Sequence, residues 1–252
     1  MSASAPALNR ALGRDRRIVI GGLLAVIALS WAYLLTGAGM SMPAPAAWTP
    51  AYFALMLVMW WLMMAAMMLP SAAPTILLFA TLSRKSTERG DPAVSAVVFA
   101  AAYVIVWGGF SLLATVAQLQ LDGLALLSPM MKSASVPLGA ALLIAAGVYQ
   151  MTPLKHACLR HCRSPIDFFA RRWRRDAKGA LLMGLEHGGF CLGCCWVMMG
   201  LLFYAGVMNL LWVAGLALYL LLEKLAPAGL VISRFAGVAL ILWGVAVLVT
   251  WY

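Results

Sequence analysis

The chain has 252 residues, of which 64% are hydrophobic and 10% charged. Soluble globular domains carry about a quarter charged residues, so this composition excludes a soluble fold and points to an all-α, polytopic transmembrane helix bundle. The formal net charge of +10 does not signal nucleic-acid binding, because the cations are grouped between apolar runs rather than along one polar face.

In chain order, residues 1–17 form a basic segment containing Arg10, Arg14, Arg16 and Arg17. Residues 18–252 then read as one integral membrane helical domain, with no stretch long enough for a separate soluble module. Seven apolar runs suit about 30 Å of hydrocarbon: Ile18 to Leu35, Ala51 to Ala80, Ala93 to Gln118, Ser135 to Met151, Gly179 to Phe203, Asn209 to Leu222 and Phe235 to Trp251. The sixth is short, which leaves a six-span arrangement as the alternative. The first run follows basic residues and precedes small ones near Gly37, as a signal peptide would, but its apolar core is longer than a usual h-region, so an uncleaved helix is expected. Thr36 to Pro50, with Met40, Met42, Pro43, Pro45 and Trp48, reads as an extracytoplasmic loop with an interfacial anchor.

Arg84, Lys85 and Arg89 follow the second run, a basic loop over residues 153–178 carries eight cations, and Lys224 and Arg234 follow the sixth run. On this arrangement 17 of the 18 lysines and arginines share one side, and only Lys132 lies opposite. The positive-inside rule makes that side the cytoplasm, with the N-terminus there.

The second run places Met56, Met59, Met63 and Met67 on one helical stripe, with Met64 and Met68 beside it and Pro70 and Pro74 expected to bend the helix. Thioethers are soft neutral ligands suited to Cu(I), and methionine also fills irregular gaps in a packed bundle; the stripe supports both readings. After the fourth run, Cys158 and Cys162 are one helical turn apart, with His161 adjacent, and Lys155, Arg160 and Arg163 are placed to favour thiolate.

The most informative stretch lies in the fifth run. His187, Cys191, Cys194 and Cys195 follow i, i+4, i+7, i+8 spacing and project from one side, with Met183 and Met198 at the edges of that face. Glu186 points elsewhere, as a proton-linked group, a partner of a ligand or an interfacial charge. Gly184 with Gly188, and Gly189 with Gly193, form small-xxx-small pairs that let a neighbouring helix approach.

All five cysteines fall in the cytoplasmic half or near the membrane middle, where thiols stay reduced, so no disulfide framework is expected. A few thiolates with neutral thioethers suit Cu(I), because that set limits buried charge; zinc and iron–sulfur ligation rank lower. Cys191, Cys194 and Cys195 are the expected ligands, with His187 a candidate fourth. Met59, Met63 and Met67 offer weaker stations toward the extracytoplasmic face, and Cys158 and Cys162 with His161 exchange metal on the cytoplasmic side. Glu223 and Lys224 read as a structural ion pair, made locally or with the basic loop. No Walker-type lysine motif and no HExxH occurs, so ATP-driven transport by this chain alone is not expected.

Several of these stretches occur together in one family. The segments Met63-Met64-Ala65-Ala66-Met67-Met68-Leu69-Pro70, Lys155 with Cys158-Leu159-Arg160-His161-Cys162-Arg163-Ser164-Pro165, Cys191 with Gly193-Cys194-Cys195-Trp196, and Glu223-Lys224 resemble a bacterial family of predicted metal-binding integral membrane proteins, a domain of unknown function. The resemblance runs from Trp60 to Lys224 and implies a metal site without supplying a reaction. The resulting expectation, with the bacterial setting implied by the resemblance, is a protein integral to the bacterial inner (cytoplasmic) membrane that binds Cu(I) for trafficking, or for delivery to a metalloenzyme or metallochaperone partner. No catalytic residue is assigned, and an oligomer is compatible with this reading. The alternatives are a membrane thiol–disulfide oxidoreductase and a noncatalytic assembly factor or subunit of a larger membrane complex.

Overall fold

A computed structural model describes the backbone of residues 5–16 and the whole of residues 17–37, 48–92, 94–128 and 131–250. Met40, Met42, Pro43 and Pro45 lie outside the described residues. Those described form ten helices: α1 (Ala5–Leu35), α2 (Pro50–Thr87), α3 (Ala96–Gly123), α4 (Val136–Gln150), α5 (Pro153–Arg163), α6 (Pro165–Arg172), α7 (Ala177–Gly200), α8 (Leu202–Ala205), α9 (Leu210–Leu225) and α10 (Gly229–Val249). The only pairing of extended backbone among them is an isolated bridge between Leu127 and Ser133.

Local chemistry sets the helix starts. Thr49, Ser95, Ser135, Thr152, Asp176 and Asn209 each accept a backbone amide of the first turn, satisfying donors that the helix itself cannot. The Thr152-Pro153 step ends α4 and starts α5 at an angle of 65°. Ser164-Pro165 similarly divides α5 from α6, so the segment expected as a basic loop contains two short helices.

Five helices are long and apolar enough to cross a membrane, and six if the bent α4–α5 pair is one span. The other expected crossing, α9, has 16 residues, about 24 Å of rise. α2 is central, with 61% of its apolar window buried, whereas the corresponding values are 17% for α1 and 22% for α10. α7 packs on α3 and α5, α2 packs on α3, α1 and α9, and α4 packs on α10. The α4–α10 contact is close enough that a Cβ at Gly237 would stand 2.9 Å from the Gly147 carbonyl oxygen. Where α2, α3, α5, α7 and α9 meet, the cysteines are gathered.

Candidate metal centre

One helix supplies most of the site. The Asp176 side chain accepts from the Gly179 amide at 2.8 Å and starts α7. Met183, His187, Cys191, Cys194, Cys195 and Met198 are all buried along it, whereas Trp196 on another face is 49% exposed. The i, i+4, i+7, i+8 spacing therefore turns inward as a unit.

Glycine lets two neighbours reach that face. A Cβ at Gly188 would stand 2.9 Å from a Val106 methyl, and one at Gly184 would collide with the Phe99 carbonyl, so α3 lies hard against α7. That approach brings the Tyr103 hydroxyl to 3.0 Å from the Cys191 sulfur and 3.3 Å from the Met68 carbonyl oxygen. On the other side α5 covers α7 at Gly193, where a Cβ would stand 2.9 Å from Cys158 Sγ. The Tyr149 hydroxyl donates to the Gly193 carbonyl, and Gly189 faces open space.

Cys191 is the hub. Its carbonyl oxygen accepts the thiols of Cys194 and Cys195, each at 3.0 Å. Cys158 and Cys162 of α5 pack against the buried cluster that includes Cys191, Cys194 and Cys195. The cysteine pairs that sequence places on separate segments thus form one group of five free thiols, three buried and two half-buried.

A family model described as the copper chaperone PpoB2 matches residues 57–247. The chain belongs to the PpoB2 copper chaperone family. Comparison with curated proteins and with solved structures finds no match. Membership gives the protein a copper-related role, so the metal implied by the sequence resemblance is copper. The matched span includes all five cysteines and, of the methionine stripe, Met59, Met63 and Met67.

For this member of the copper chaperone family, the remaining expected residues divide. His187 is 3% exposed among the rings of Phe99, Tyr103 and Phe168, and its Nδ1 is buried without a hydrogen-bond partner. An orphaned buried nitrogen costs about 1–3 kcal/mol unless something coordinates it, so it fits a ligand. Met59, Met63 and Met67 are buried along α2, and the thioether of Met68 lies 3.7 Å from Nζ of Lys224. Met56 stands elsewhere, 3.7 Å from the Gln118 amide nitrogen, which also lies 2.9 Å from the Met131 sulfur. His161 is exposed and stacks on Phe190 at 4.3 Å, with Nδ1 2.9 Å from the Ala157 carbonyl oxygen, so it is not brought to the sulfurs. Glu186 pairs with Arg172 at 3.0 Å and Arg174 at 3.2 Å, the interfacial-charge role.

The cations expected to favour thiolate at Cys158 and Cys162 are committed elsewhere. Lys155, fully buried, donates to Glu223 Oε1 at 2.7 Å and to the Gln150 side-chain oxygen. The Tyr219 hydroxyl donates to the same Glu223 oxygen at 2.9 Å. The Arg163 guanidinium donates to the carbonyls of Glu223, Ala226 and Pro227, satisfying the open end of α9, and Arg160 is exposed. Glu223 therefore pairs with the basic segment, as expected. Lys224 does not share that pair: its Nζ lies 3.0 Å from Cys191 Sγ. Lys224, Tyr103, Met68 and Ser71 are the residues at this centre that sequence reasoning did not place there.

Among the described residues, no three His, Cys, Asp or Glu side chains are already spaced to hold a metal ion. The reason is local: the thiols of Cys194 and Cys195 are turned back to a backbone carbonyl, and an ammonium stands against Cys191. Rotation of those thiols about χ1 is the rearrangement that ion capture requires.

Proposed function

We propose that the protein is an integral membrane copper chaperone that holds Cu(I) on Cys191, Cys194 and Cys195, with Cys162, Met68 and His187 as additional donors. Cys158, half-buried on α5, passes the ion at the basic face to a metalloenzyme or metallochaperone partner. Met59, Met63 and Met67 are weaker stations along α2 on the approach from the opposite face. The observation that carries this reading is the packing of Cys158 and Cys162 of α5 against the cluster that holds the three α7 cysteines, with Cys158 Sγ over Gly193. A low-coordinate soft ion suits thiols and a thioether, and few thiolates limit the charge buried at membrane depth. Closely spaced donors allow ligand-by-ligand exchange without releasing a bare ion.

The membrane setting follows from the same features. The apolar surfaces of α1 and α10 are exposed, with Leu24 at 60%, Leu29 at 70% and Leu242 at 64%, as lipid-facing residues would be. Seven crossings, α1, α2, α3, α4, α7, α9 and α10, put the basic α5–α6 segment and the N-terminus on the cytoplasmic side of the inner membrane.

Anaerobic copper loading in detergent tests the reading. One Cu(I) per chain is expected, and Cys158→Ser should retain that capacity while transferring the ion to a chelator more slowly. Equal transfer rates would remove the exchange role of Cys158. Failure of the wild type to bind copper, with a reversible two-electron thiol couple in its place, would identify a thiol–disulfide oxidoreductase instead.

A further inference from the structure

Lys224 is the buried ionisable group that copper coordination by sulfur leaves unused. It is 5% exposed near the end of α9, and its Nζ stands 3.0 Å from Cys191 Sγ, 3.3 Å from Ser71 Oγ, 3.7 Å from Met68 Sδ and 3.9 Å from Cys195 Sγ. An ammonium is a compact, strongly hydrated charge that ordinarily seeks oxygen, and burying one at membrane depth is costly. The carboxylate on the adjoining residue, Glu223, is engaged by Lys155. Two thiols, a thioether and a hydroxyl instead form surroundings that a soft monovalent cation would use.

We propose that the Lys224 ammonium is the resident cation of the copper pocket: it holds the sulfurs of Cys191, Cys195 and Met68 around one positive charge, and Cu(I) enters by displacing it. This rests on the copper reading above. At Cys191 the exchange is balanced in charge, because one monovalent cation replaces another, while Cys194 and Cys195, which donate as thiols in the empty state, each release a proton to solvent if they ligate as thiolate. Neither the empty nor the loaded state then leaves the Cys191 sulfur without a counter-charge at low dielectric. The four-carbon stem of lysine can withdraw without movement of α9. Glu223 Oε2, buried without a hydrogen-bond partner, provides an acceptor on the adjoining residue.

The competition has a quantitative consequence. Apparent affinity falls in proportion to the fraction of time the pocket is vacant, so an ammonium in place about 99% of the time weakens copper binding about 100-fold. A carrier benefits from that competition, because the returning ammonium helps drive the ion off toward its recipient.

The test compares wild type with Lys224→Gln and Lys224→Leu, measuring Cu(I) affinity by chelator competition and the rate of release to the chelator. Both variants are expected to bind at least about tenfold more tightly and to release more slowly. Unchanged or weaker binding, or faster release, would overturn the proposal, since a lysine that only sustains the Cys191 thiolate or packs α9 gives that pattern. If the variants do not fold, wild type labelled with ε-¹⁵N-lysine decides. Lys155 and Lys224 are its two described buried lysines, and one protected ammonium signal should move on copper loading while the other stays. Two unmoved signals would overturn the proposal. Absence of copper binding in wild type strikes the copper reading itself, whereas copper binding with unaltered Lys224 behaviour strikes only the resident cation.

Discussion

Replacement of Cys191 by serine is expected to weaken Cu(I) binding by about 100-fold or more, equivalent to about 2.7 kcal/mol. Partners outside the ligand set typically cost 10–100-fold, and a direct soft donor should cost at least the upper end. Cys191 is singled out by its surroundings: Tyr103 and Lys224 reach its sulfur at 3.0 Å each, and its carbonyl holds the thiols of Cys194 and Cys195. Serine occupies nearly the same space but offers a hard oxygen, so the fold should persist while affinity falls. Competition with a Cu(I) chelator reads the affinity, and thermal unfolding in detergent checks the fold. Retention of wild-type affinity would show that the cluster does not hold the ion through its hub.

The second large effect concerns stability. Lys155→Met should destabilise the protein by about 3–5 kcal/mol, because it leaves the fully buried Glu223 carboxylate without its cation. For a chain of this size that corresponds to a fall in Tm of about 6–20 °C. Pairing Lys155→Met with Glu223→Gln should recover much of the loss, since the uncompensated charge is then gone. The same substitution should raise the alkylation rate of Cys158, because Lys155 ties α5 to α9 and so holds Cys158 over Gly193. A single variant as stable as wild type would mean that water or another group neutralises Glu223, and the ion pair would not be what docks α5.

These two residues also mark where sequence reasoning succeeds and where it stops. The inward face of α7 was legible because one helix decides it: 3.6-residue periodicity alone aligns His187, Cys191, Cys194 and Cys195. The helical class was equally legible from hydropathy, whereas α5 and α6 were hidden in a stretch whose charge reads as a basic loop. The number of membrane-length helices was less so, because α9 is short and the fourth apolar run bends sharply into α5. Contacts between helices were the harder matter. Spacing could not show that Cys158 and Cys162 pack against the cluster holding the α7 cysteines, that the Met68 thioether stands beside Lys224, or that His161 stacks on Phe190 instead of joining them. Lys224 illustrates the limit most clearly. A lysine closing an apolar run beside a glutamate reads as part of a structural ion pair, and only the crossing of α9 over α2 and α7 sends its ammonium to sulfur.

X-ray absorption at the copper edge, on protein loaded with Cu(I) under anaerobic conditions, tests the central claim most directly. Sulfur is expected to dominate the nearest neighbours of copper, with at most one nitrogen from His187, and the sulfur signal should diminish in Cys191→Ser. Copper surrounded by oxygen or nitrogen alone, or a wild-type spectrum unchanged by Cys191→Ser, would contradict it.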